Sequence, residues 1–117
     1  MSNSKRTRRV ADLILRELAA LLRSEVSDPR LKNISITGVD LSPDLGQARV
    51  YYSVLEKEQL DQASHALSHA CGHFRHELSL RTALQRIPRL VFVYDKSVIH
   101  GEEISQLINE KFKHKDD

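Results

Sequence analysis

Tryptophan is absent from this 117-residue chain, cysteine and methionine occur once each, and the aromatics are three Phe and three Tyr. Each shortage removes a class of function. A lone thiol, Cys71, leaves no internal disulfide and suits a reducing compartment. So few aromatics provide no cluster of the kind that stacks RNA bases one after another on a sheet. No hydrophobic run approaches the roughly 20 residues of a membrane helix. MSNSKRTRR, at the start, lacks the apolar stretch of a secretory signal. Gly38, Gly46, Gly72 and Gly101 stand far apart, so no glycine-rich phosphate loop exists. The expectation is a single cytoplasmic domain over 1–117, with flexible ends at 1–5 and 113–117, and no membrane partner.

Charge is the first thing present in excess. The net value is only +2, but residues 1–32 hold eight Lys/Arg against four Asp/Glu, and 71–100 hold five against two. Residues 33–70 reverse the sign, with two against five. Two basic segments therefore bracket an acidic middle, and folding can bring them to one face, which is the footprint of an anionic partner. Plain solvation of a surface gives a similar pattern.

Periodicity supplies the elements. Val10, Leu13, Ile14, Leu18, Leu21 and Leu22 predict an amphipathic helix over about 6–26, ended by Ser27-Asp28-Pro29. Ile34 to Leu41 alternates as a strand, with a phase slip at Gly38 that predicts a β-bulge. After the turn Ser42–Gly46, Ala48, Val50, Tyr52 and Val54 share one face of a second strand, so an antiparallel hairpin is expected. Leu60, Ala63, Leu67, Ala70, Phe74 and Leu78 return to helical spacing. A glycine inside a helix costs about 1 kcal/mol relative to alanine, so Gly72 predicts two helices meeting there, the second ending before Pro88. Leu90 to Tyr94, apolar on both faces, predicts a well-buried strand, and Ile104, Leu107, Ile108 and Phe112 a final helix. Three strands with helices on one face make an α+β sandwich.

HALSHACGHFRH, residues 65–76, invites a metal or catalytic reading. On a continuous helix His65, His69, His73 and His76 fall within an arc of about 80°, centred about 150° from the apolar stripe. A structural zinc needs four ligands, and Cys71 projects to the apolar side instead. No orienting acid or oxyanion hole can be assigned, so no catalytic residue is expected. The histidines read as a solvated face, and no metal or other cofactor is expected.

Four segments, in order over residues 6–100, resemble the ribosome-binding factor A family. Ala70-Cys71-Gly72 stands where RNA-binding KH domains carry a GxxG loop, and resembles that family's AxG step. Ser27-Asp28-Pro29-Arg30-Leu31 resembles its DPRL element. Gly38-Val39-Asp40-Leu41-Ser42-Pro43-Asp44-Leu45 with Ala48-Arg49-Val50-Tyr51 resembles its hairpin. Ile87-Pro88-Arg89-Leu90-Val91-Phe92-Val93-Tyr94-Asp95 resembles its last strand. Gln85 stands where the family tends to place a basic residue, and Arg86 follows it.

The resemblance implies a type II KH-like fold, α-β-β-α-(kink)-α-β with a C-terminal helix, kinked at Ala70, Cys71 and Gly72. It implies a non-enzymatic assembly factor that binds the free small (30S) ribosomal subunit and its 16S rRNA late in maturation. Support for 5′-end processing of the rRNA and a need sharpest in the cold are further implications.

Candidate phosphate-binding residues are Lys5, Arg6, Arg8 and Arg9 at the first helix start, Arg75 and Arg81 beyond the kink, and Arg86 and Arg89 before the last strand. Arginine suits the task because its planar fork meets phosphate oxygens in pairs. Tyr51, on the outer strand face, is a weaker candidate for stacking on a base. A protein–protein adaptor, or a metal-responsive module using the His65–His76 stripe, are the alternatives. No small-molecule substrate is expected, and a monomer suffices.

Overall fold

A computed structural model of the chain describes residues 5–24 and 28–97. The first element is helix α1, Lys5–Ser24. Ile14, Leu18, Leu21 and Leu22 are its buried stripe, while Arg9, Arg16 and Arg23 are exposed. Lys5 lies in the first turn of this helix. The expected helix end at 26 and Ser27 lie outside the described residues. Asp28 then caps a 3₁₀ turn, Pro29–Leu31, by accepting the Arg30 backbone N–H at 3.0 Å.

Strand β1, Ile34–Leu41, pairs antiparallel with β2, Gln47–Val54. The register shifts between Ile36 and Gly38, so the bulge expected at Gly38 is present and Thr37 is its extra residue. Thr37 Oγ1 donates to Asp95 Oδ2 at 2.6 Å. Ala48, Val50 and Tyr52 are buried while Arg49 is exposed, as period-2 alternation dictates.

Helix α2 runs from Leu60 to Arg81 as one element. The expectation of two helices meeting at Ala70-Cys71-Gly72 is thereby corrected: the helix continues through all three residues. Magnitudes explain why. The glycine costs about 1 kcal/mol. Phe74, two residues later, is fully buried, and burying one such side chain contributes roughly 1.5–3 kcal/mol that a broken helix would forfeit. Gly72 itself is exposed, and a Cβ there would meet nothing within 4 Å. It is not the close-packing residue that a junction of two helices would need. The helix ends at Thr82, whose N–H bonds to Leu78 O, well before Pro88.

Strand β3, Arg89–Tyr94, pairs parallel with β2 and completes a three-stranded sheet of order β1-β2-β3. Only Leu90 of β3 is buried; Val91 to Tyr94 are half-buried, against the expectation of burial on both faces. An edge strand whose second face carries no packed helix among the described residues keeps that face partly wet. Residues of α1 and α2 pack with the inner sheet face around Phe74, Ile14, Leu18, Val50 and Leu67. Phe74 meets Phe92 edge-on at 6.0 Å, and Tyr52 meets Tyr94 at 5.8 Å. The expected α+β architecture stands, with two long helices among the described residues. The expected helix over Ile104–Phe112 and the tail 113–117 lie outside the described residues.

Candidate nucleic-acid interface

Three segments distant in sequence converge at one end of the fold. The first turns of α1 lie beside the β1–β2 turn and the α2–β3 loop, because α1 runs antiparallel to β1 and β3 starts where the hairpin turns. Arg89 N donates to Gly46 O at 2.9 Å and fixes that start. Arg6 and Val10 of α1, Asp44 and Leu45 of the turn, and Leu84 and Arg86 of the loop line a groove of about 500 Å³. Thus Arg6 and Arg86, eighty positions apart, come to the same cleft.

The turn is held by its own side chains. Ser42 Oγ donates to Asp44 Oδ1 at 2.7 Å, Gly46 N donates to the same oxygen at 2.9 Å, and Gln47 N donates to Ser42 Oγ. The two bonds to Asp44, Ser42's first, hold its carboxyl below its ordinary range, and nearby Arg86 adds to the effect. They also fix Leu45 at φ 61°, a left-handed conformation rarely taken by leucine.

The remaining candidates separate into two groups. Lys5, Arg8, Arg9 and Arg89 are exposed at the same end, and Arg8 lines a shallower depression with Asp12 and Asp40. Arg75 and Arg81 are engaged by the protein itself. Arg75 Nη2 donates to Ile87 O at 3.1 Å, pinning the loop that carries Arg86 to α2. Arg81 sits 3.9 Å from Glu17 of α1 and 3.6 Å from Glu77. The first group places six cations (Lys5, Arg6, Arg8, Arg9, Arg86, Arg89) against three nearby acids (Asp12, Asp40, Asp44), a local excess of positive charge. Tyr51, half-buried on the outer sheet face, stands beside Arg49, and its hydroxyl raises the arginine's pKa.

His65, His69, His73 and His76 are all exposed. His65 Nδ1 lies 3.0 Å from Asp61 O, within its own helix. Cys71 turns the other way, half-buried, with Sγ 3.7 Å from Leu90 O. Among the described residues no three His, Cys, Asp or Glu side chains gather as a metal site, and no helix is long and apolar enough to cross a membrane.

Sequence reasoning missed Val10, Asp44, Leu45 and Leu84 as parts of a site. Ser42–Gly46 reads as a turn by composition, and nothing in it signals a leucine held at positive φ. The groove exists only once three separate segments have folded together.

A family model described as "Ribosome-binding factor A" matches residues 6–108. Ribosome-binding factor A of Coxiella burnetii is 49% identical over 114 residues, covering 97% of this chain and 95% of that one. The Nitrosococcus oceani protein of the same name is 47% identical over 105 residues, covering 89% and 83%. Among solved structures, the crystal structure of ribosome-binding factor A from Thermus thermophilus superposes with TM-score 0.68 at 30% identity, over 75% of this chain and 93% of that one. A Thermus thermophilus homology model fitted into the cryo-EM map of a complex with 30S gives TM-score 0.63 at 30% identity, over 74% and 91%.

Proposed function

The chain belongs to the ribosome-binding factor A family, and from that premise we propose that it binds the free small ribosomal subunit and its 16S rRNA as a non-catalytic assembly factor. It acts in the cytoplasm, late in maturation, supports processing of the rRNA 5′ end, and is needed most in the cold. The observation that carries this reading is likeness along nearly the whole chain to ribosome-binding factor A proteins, one of them fitted into a 30S complex.

A binder without chemistry promotes RNA maturation by preferring one arrangement, because a ligand shifts an equilibrium only by its differential affinity for the two states. Phosphate contacts supply that affinity at the end where Arg6 and Arg86 meet, with Lys5, Arg8, Arg9 and Arg89 around them. Arg75 and Arg81 act one step back. The first holds the Arg86 loop and the second ties α2 to α1.

Sucrose-gradient fractionation of lysate tests the assignment. The chain is expected with free small subunits and absent from translating ribosomes, and its loss is expected to accumulate 5′-extended 16S precursor, most at low temperature. Migration at the top of the gradient, or with translating ribosomes, would overturn it.

A further inference from the structure

The groove between α1, the β1–β2 turn and the α2–β3 loop is built unlike a site for phosphate alone. Its lining includes the aliphatic side chains of Val10, Leu45 and Leu84, which offer nothing to an oxyanion. A carboxylate, Asp44, also stands there, and its charge repels phosphate. Arg6 and Arg86 supply the opposite sign in the same cleft. Its volume, about 500 Å³, lies in the range of roughly 300–1,000 Å³ that holds small-molecule-sized groups.

Leu45 adds an independent observation. A non-glycine residue in the left-handed region costs roughly 1–2 kcal/mol, and glycine would make the same turn without that cost. The Ser42–Asp44–Gly46 bonds hold the leucine there nonetheless. Its side chain packs on the core yet stays only half-buried, so part of it remains as groove wall.

We propose that this groove takes one unpaired nucleotide of the RNA, its base against Val10, Leu45 and Leu84 and its phosphate at Arg6 and Arg86. The inference rests on the RNA-binding reading above and adds a preference for an unpaired base over bare backbone. Aliphatic walls reward a base because its faces are apolar, and a paired base keeps those faces stacked inside the helix. Asp44 accepts from the amino or imino N–H groups that an unpaired base presents on its edge.

The test compares two eight-residue strands of equal charge against the full chain by fluorescence anisotropy: oligoadenylate, and an abasic oligomer with the same number of phosphates. The base-bearing strand is expected to bind roughly tenfold or more tightly. Amide shifts of the ¹⁵N-labelled chain should then centre on Val10, Leu45 and Leu84. Leu84→Ala, and separately Leu45→Ala, should shrink the gap while leaving the salt dependence unchanged. The wild-type comparison stands even if a variant fails to fold. Equal affinity for the two strands, or shifts that avoid the groove, would overturn the nucleotide site and leave the phosphate reading standing. Failure of both strands to bind would overturn both.

Discussion

Helices α1 and α2 have similar lengths and bury their apolar stripes against the same sheet, yet the sequence shows α1 as one helix and suggests two where α2 stands. In α1 the buried Ile14, Leu18, Leu21 and Leu22 repeat at helical spacing with no glycine or proline between them. In α2 three of the buried or half-buried members are alanines, and Gly72 lies in the middle of the stripe. Local propensity pointed to a break, and tertiary burial decided otherwise. A single unfavourable residue is a weak argument against an element whose two halves both carry core side chains.

The largest effect that sharpens this contrast is Phe74→Ala. It should cost about 3–5 kcal/mol in urea unfolding, because a fully buried ring beyond Gly72 leaves a cavity against Phe92. A loss under about 1 kcal/mol would mean that the C-terminal half of α2 is not anchored as described.

Tyr52→Phe tests the tie between α2 and the sheet. Tyr52 is buried, 3% exposed, and its hydroxyl stands beside Ser64 of α2. Its removal should cost about 1 kcal/mol. Burial raises the Tyr52 pKa above its ordinary 10.0. The stability due to the neutral phenol is therefore fully present below about pH 10 and is lost as pH rises through the raised native value. Alkaline unfolding should show that loss in the wild type and not in the phenylalanine variant.

Gly72→Ala should stabilise the protein by up to about 1 kcal/mol in thermal unfolding, since the added methyl meets open space within a continuous helix. Destabilisation would mean that the helix requires glycine at this position. Arg81→Ala should be the mildest, below about 1 kcal/mol, because Arg81 is exposed and Glu17 and Glu77 are only half-buried.

Legibility followed the range of the interactions. The hairpin, the bulge at Gly38 and the alternation of β2 are dictated by neighbours in the chain, and the sequence shows them. The partial exposure of Val91 and Val93 depends on what lies over the outer sheet face, which no strand pattern reveals. Of the eight basic candidates, the sequence could not separate Arg75 and Arg81, each held by another segment, from Arg6 and Arg86. That distinction rests on Ile87 O and Glu17, and these partners lie twelve and sixty-four positions away.

Salt dependence tests the central claim most directly. With a single-stranded 16S rRNA fragment, log affinity should fall linearly with log salt, and Arg6→Ala and Arg86→Ala should each flatten the slope by about 0.7–1 unit, while Arg81→Ala leaves it alone. A slope indifferent to Arg6 and Arg86, or flattened as much by Arg81→Ala, would contradict the placement of the RNA at this end of the fold.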